Sequence, residues 1–452
     1  VFSGEELQKK GVTNLNDIQQ VAPSIAINTF NRSTFINIRG VGIAQSAPTS
    51  NPGVAYYIDG QLIPHEQFIG HSFYDIESIE VLRGPQGTLT GQNSTGGAIY
   101  VRTPNPNFNE TLAVGDFSYG NYNRVRAMVA GSFGGEDVAM RLAYVHEERD
   151  SYTRNIAANA QSQPGNLNMD ALRANLRFRG ADGRLNINLR AEYFNVQTDN
   201  NAVKRRGDTV STDPFVIQED ARSYQDQAGY RVSGEVRYDL SDSVQVRSLL
   251  SWQDGYTHDQ TDGDRTATAL AVPANLPTSG ANRALYPGRV SRGDTVFETL
   301  LAEVNLLSTG DGPLNWVVGG FLMDEDVPVT LLRDNRNTRD FLISSSDIIT
   351  HAKNTSYSMF GQVNYFVTDQ LEVLVGGRYS WDKQVYTRFA AAGPALNPLI
   401  KVMNLVGLLV TPAVVKFSLE GNESTSKIIA AIAVAIIVAA LVRSRRASTM
   451  IG

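Results

Sequence analysis

Residues 76–104 read IESIEVLRGPQGTLTGQNSTGGAIYVRTP, and this stretch decides the fold. Glu77, Ile79 and Val81 alternate with Ser78, Glu80 and Leu82 as a short strand does, until Gly84 and Pro85 break the run. Gly87, Gly91, Gly96 and Gly97 then permit positive φ and close backbone approach, and residues 98–102 resume an extended strand. A phosphate-cradling loop would need Gly-Lys-Ser/Thr opening a helix, whereas Gly96 and Gly97 lead into Ala98, Ile99 and Tyr100. A dinucleotide fingerprint fails too, because no βαβ unit follows. Two readings remain: a compact plug, or a glycine-rich hairpin in a soluble β-protein.

The neighbouring segments choose between them. Upstream stand LNDIQQVAPSIAI (15–27), FINIRGVG (35–42) and VAYYIDGQLI (54–63), in that order. With Ile38-Arg39-Gly40, Tyr57-Ile58-Asp59-Gly60, Ile79 to Gly87 (containing Glu80, Arg83, Gly84 and Pro85) and Thr95-Gly96-Gly97-Ala98-Ile99, the first hundred or so residues resemble the plug domain of TonB-dependent outer-membrane receptors. Thr90 replaces an aromatic residue usual in that family, and Tyr100 a common Asn.

Composition narrows the chemistry. The 452 residues exceed one ordinary domain, and 42% hydrophobic residues suffice for packed structure. Without cysteine there are no disulfides, thiolate metal sites or cysteine nucleophiles. His65, His71, His146, His258 and His351 are scattered without ligand spacing, so neither a metal nor a cofactor is expected. A net charge of −6 offers no basic surface for nucleic acid. Val1 opens the chain with no secretory leader, so the start reads as truncated, with the leader and the transducer-binding box expected upstream.

From 109 to about 388 the pattern is that of an antiparallel transmembrane barrel. Leu172, Ala174, Leu176 and Phe178 alternate with Arg173, Asn175, Arg177 and Arg179; 185–193 and 230–240 repeat the period with Arg190, Glu192, Arg231 and Arg237 among the polar set. Short turns at 131–136, 180–183, 241–243, 308–312 and 367–370 alternate with long polar segments at 149–170, 195–228, 253–294 and 324–354, which should face outside and select ligand. About eleven strands are expected, against about twenty-two in plugged receptors. An open edge in hydrocarbon would leave backbone groups unpaired at several kcal/mol apiece, so the chain is not expected to insert as a working receptor.

The fold class is therefore mainly β: a small α/β plug (1–108), an incomplete barrel (109–388) and a hydrophobic helical hairpin (389–452). In the last part, apolar runs 402–415 and 428–442 precede Arg443, Arg445 and Arg446, the charge pattern of a cytoplasmic helix end that favours an inner membrane. The segment 393–404, GPALNPLIKVMN, resembles the last core helix of membrane-bound pyrophosphate-energised proton pumps. By that resemblance Asn397 and Lys401 correspond to residues near the ion gate, but the preceding Mg-pyrophosphate-binding aspartates are replaced by Tyr386, Thr387, Arg388 and Phe389. Hydrolysis is not expected, and a chimeric junction between about 388 and 393 is.

The resemblance implies a receptor fragment that does no bond chemistry. In the parent receptor a siderophore, vitamin or glycan would bind the plug apex and outer loops, and a TonB-type energy transducer would pull on the plug. Arg39, Glu80 and Arg83 are candidates for a charged plug–wall lock, because they would face a wall rich in Arg and Glu. The competing readings are a proton-pump fragment, which predicts pyrophosphate-dependent flux, and a β-rich binding protein, which requires the apolar strand faces to be buried on a second sheet.

Overall fold

The computed structural model describes residues 1–30, 33–42, 52–71, 73–84, 94–158, 160–263, 265, 267, 290–310, 312–336, 343–368 and 370–394. The predicted hairpin of 389–452, with Asn397 and Lys401, lies outside these residues beyond 394, as do Pro85, Gly87 and Gly91. No helix among the described residues is long and apolar enough to cross a membrane.

The plug is built from two small sheets and short helices. The larger sheet runs in the order Phe2–Ser3, Ser78–Arg83, Gly97–Arg102, Val54–Ile58, Gln61–Leu62; the smaller joins Ile25–Phe30, Ser33–Ile38 and Val41–Gly42. Helix Gly4–Lys9 starts where the Ser3 hydroxyl accepts the Glu6 amide at 3.2 Å, satisfying one of its orphan donors. Ile38, Ile58, Ile79 and Ile99 on the strands, and Ile18 on the short helix Ile18–Val21, are almost completely buried in the plug core.

Two of the sequence motifs are tight hairpins. Ile38 pairs with Val41, and Ile58 with Gln61, so Arg39-Gly40 and Asp59-Gly60 are two-residue loops. All four residues have positive φ (52° and 82°; 51° and 84°), the type I′ geometry whose twist matches the flanking strands.

The second layer is one sheet of eleven antiparallel strands in sequence order, from Thr111–Gly120 at one edge to Leu371–Pro394 at the other. Its faces are inverted relative to a soluble protein. Arg173, Asn175, Glu192, Ser233 and Glu235 are buried on the concave side, while Leu172, Leu189, Val232, Leu250 and Val304 are exposed outside. An apolar belt left open is what lipid requires, and it argues against a second sheet covering these strands.

The long outer segments are shorter than the sequence suggests. Strands Val244–Asp262, Val290–Ser308, Leu314–Arg336 and Ile343–Thr368 extend deep into the stretches read as loops 253–294 and 324–354, the last strand reaching 26 residues. About 9–11 residues cross a bilayer. Beyond that depth the outward face is polar, with His258, Asp294 and Asp326 on it, while inward Thr257, Thr295 and Val327 stay buried, so the apolar alternation disappears although the hydrogen-bond ladder continues.

Candidate functional site

The site is the interface between the plug and the concave wall. At its centre, Asp75 takes a bidentate pair from Arg141, Nε at 2.8 Å and Nη2 at 2.6 Å, with both side chains only 6% exposed. Next to it, Arg173 donates Nη1 to the Tyr74 carbonyl oxygen at 3.0 Å and lies 4.3 Å over the Tyr74 ring. Its Nη2 reaches Glu192 Oε1 at 2.8 Å, and the other Glu192 oxygen accepts from Arg231. Glu192 is thus held between two guanidinium groups, the arrangement that lets a buried carboxylate stay charged.

The two ends of the plug are tied differently. At the end bearing the short turns, the Asp59 carboxylate accepts from the Thr103 amide at 2.9 Å and hydroxyl at 2.8 Å, and lies 3.6 Å from Arg190 Nε. Gln61 bonds Ser233, and Ser251 donates back to Gln61 at 2.9 Å. Towards the long loops the contact is aromatic: Phe68 meets Phe194 at 5.4 Å and Phe297 at 4.9 Å, and His71 stacks on Phe194 at 4.7 Å. Cross-strand partners Gly229 and Gly255 make the room, since a Cβ at either would stand within 2.9 Å of Phe194 or 2.8 Å of Phe68 respectively. His65 Nε2 lies 3.1 Å from Glu325 Oε1. Burial lowers the His71 pKa to about 4, so its ring is neutral at pH 7.

Above this level the outer segments are stitched together. A two-residue parallel ladder joins Arg154–Asn155 to Val216–Ile217. Asn155 Nδ2 donates to the Glu219 carbonyl oxygen at 2.8 Å; the fully buried Glu219 carboxylate accepts from Ser223 at 2.7 Å and from Arg265. Burial raises the Glu219 pKa.

The motif residues fall into three groups. Asp59 and Gly60 face the wall, where a Cβ on Gly60 would stand 2.9 Å from Arg247 Nη2. Gly84, Gly96 and Gly97 serve the plug itself: Gly84 N donates to Gly96 O at 3.0 Å, and a Cβ on Gly97 would meet the Leu82 carbonyl oxygen at 2.2 Å. Arg39 and Arg83 are exposed and Glu80 is half-buried. No ion pair among the described residues involves these three, so the charged ties to this wall lie instead at Asp59, His65 and Asp75. Lumen-facing Arg173, Glu192 and Arg231 were visible in the alternation, but nothing local assigns them Tyr74 as a partner, 99 residues before Arg173. Among the described residues no group of His, Asp or Glu has the geometry to hold a metal ion.

Residues 1–98 match the family described as TonB-dependent Receptor Plug Domain, and residues 170–402 the family TonB dependent receptor-like, beta-barrel. The chain is 38% identical over 108 residues to the pesticin receptor of Yersinia enterocolitica, which covers 24% of this chain and 16% of that protein. Among solved structures, the ferric yersiniabactin uptake receptor of Yersinia pestis superposes with a TM-score of 0.70 at 17% identity, over 86% of this chain and 60% of that one. A short C-terminal stretch is similar to another protein, the K(+)-insensitive pyrophosphate-energized proton pump of Streptomyces coelicolor, at 51% identity over 63 residues, 14% of this chain and 8% of the pump. The chain thus spans less than two thirds of each of these proteins.

Proposed function

We propose that this chain, which belongs to the TonB-dependent receptors, forms the plug (1–108) and opening wall strands (109–388) of an outer-membrane importer for a siderophore-type metal chelate. The observation that carries the reading is the seated plug. A folded domain is held against an inverted β-wall by the buried Asp75–Arg141 ion pair and by Arg173, which Glu192 orients within the wall and which donates to the Tyr74 carbonyl oxygen, contacts that a displacement of a few ångströms undoes. The chelate lands on the outer side, where residues 65–71 meet Phe194 and Phe297, and the transducer pulls the plug from the opposite side. No nucleophile or metal centre enters the mechanism, and no bond is made or broken. The likeness to the ferric yersiniabactin uptake receptor of Yersinia pestis favours an iron chelate over the vitamin or glycan that the sequence left open.

Equilibrium dialysis of the full chain in detergent against a ferric chelate, cobalamin and a maltodextrin tests the ligand class. Retention of the ferric chelate alone is expected; retention of cobalamin or the maltodextrin instead would replace it.

A second reading concerns the last sixty residues, and the pump similarity supports it. In this reading the tail comes from a pump gene and was joined to the receptor in assembly. The barrel family match reaches residue 402, past the expected junction, so the joint lies near or after 388–393. Genomic DNA read without interruption across codons 380–410 decides this: further receptor strands after the joint support it, and an intact junction removes it.

A further inference from the structure

The lower concave wall carries more guanidinium than the plug latch uses. Arg177, Arg179, Arg190, Arg237 and Arg247 line adjoining strands on the lumen face, and the register sets Arg237 directly opposite Arg247, a like-charge pair. Carboxylates answer most of them. Glu235 pairs with Arg237 at 2.6 Å and Arg247 at 2.9 Å, Glu303 lies 3.8 Å from Arg247, and Asp137 lies 3.4 Å from Arg179.

Two arginines are left under-bonded. Arg177 makes no ion pair among the described residues; its guanidinium lies 4.8 Å over Phe108, a ring that Arg179 also covers at 4.5 Å. Arg190, with a side chain only 10% exposed, donates Nη2 to Asn105 at 2.9 Å, but its buried Nε and Nη1 have no hydrogen-bond partner. The Asp59 carboxylate, 3.6 Å from Nε, is its ion-pair partner but lies beyond hydrogen-bond distance and takes its hydrogen bonds from Thr103. Asn188 pairs with Arg177 across the ladder and sits two residues from Arg190, so the two guanidinium groups flank one lumen-facing spot diagonally.

We infer that Arg177 and Arg190 form an oxyanion subsite at the foot of the plug, beside Asn105 and Phe108, taking a carboxylate or phosphate group. Resting on the importer reading above, this names the cargo class as an anionic chelate, which the subsite receives as the plug yields. Guanidinium suits the task because its planar fork meets a carboxylate with two parallel hydrogen bonds. Free phosphate shares this chemistry, and the test separates the two sources.

Isothermal titration of the full chain, refolded in detergent, uses citrate and inorganic phosphate as probes. Citrate is expected to bind, more tightly than phosphate if the subsite serves a polycarboxylate cargo and no more tightly if free phosphate is its occupant. Arg177→Gln and Arg190→Gln should each weaken citrate by roughly tenfold, while Arg206→Gln, on an exposed outer segment, should not. Arg177→Lys and Arg190→Lys keep the charge and guard against a folding failure; they should retain part of the affinity. No citrate binding by the parent chain, or equal binding by the Gln variants, overturns the subsite. Uptake of a labelled ferric chelate by cells is read separately. Lost uptake with intact citrate binding sinks the importer reading, and intact uptake without citrate binding sinks only the subsite.

Discussion

Removing one partner of the Asp75–Arg141 pair should loosen the plug far more than removing both. Each side chain is 6% exposed and the pair is bidentate, so Arg141→Ala leaves a desolvated carboxylate with nothing to neutralise it. Such losses cost about 3–5 kcal/mol, and the pair's own net contribution is much smaller. Asp75 has φ 48°, which Asn tolerates and Ala does not, so Asp75→Asn isolates the charge from the backbone. Hydrogen exchange of segment 73–84, read by mass spectrometry in detergent, reports local opening directly. Arg141→Ala should speed exchange there by roughly a hundredfold or more, which is what about 3 kcal/mol amounts to. The double variant Asp75→Asn/Arg141→Gln should recover most of the protection, because no bare charge remains. Exchange within about threefold of the parent in Arg141→Ala, or a double variant as fast as the two singles multiplied, would refute the reasoning.

Three other outcomes follow from the geometry. Leu172→Arg, on the exposed outer belt, should make insertion into lipid vesicles less favourable by about 2–4 kcal/mol near the midplane, measured as folded fraction against urea; an unchanged midpoint would contradict the lipid-facing assignment. Gly255→Val places a Cβ 2.8 Å from Phe68 and should cost about 1–3 kcal/mol, with part of the loss relieved by Phe68→Ala in the same chain, as thermal melting would show. His71 has a native pKa of about 4, below the ordinary value near 6.5, so its contribution is fully present above pH 6.5 and is lost as pH falls towards 4. Its half-buried ring limits that loss to about 1–2 kcal/mol, and His71→Phe should flatten this part of the stability profile relative to the parent.

The backbone of this account was legible in the sequence where the physics is local. The alternation from Leu172 to Arg179 announces a two-faced wall because side chains alternate across a strand, and Asp59-Gly60 is a pair that favours a tight hairpin turn, whereas the turn at Arg39-Gly40 has no such local signal in Arg39. The latch was not legible. Asp75 precedes the glycine-rich run without any motif of its own, and its partner Arg141 lies 66 residues away on one of several wall strands whose inward faces carry arginine. The expected lock at Arg39, Glu80 and Arg83 failed to name these contacts for the same reason: charge alone does not say which face of the plug meets which strand. Strand ends above the bilayer were also hidden, since their outward face is polar and their buried inward face mixes Thr257 and Thr295 with Val327, which leaves no apolar period.

Energised uptake tests the central claim most directly. Cells carrying the complete receptor gene that encodes this plug and wall, and lacking other iron receptors, should accumulate a radiolabelled ferric chelate saturably. Accumulation should fall to background when the energy transducer is deleted, while surface binding persists. Uptake that continues at the same rate without the transducer, or cells that never bind a ferric chelate, would contradict the account.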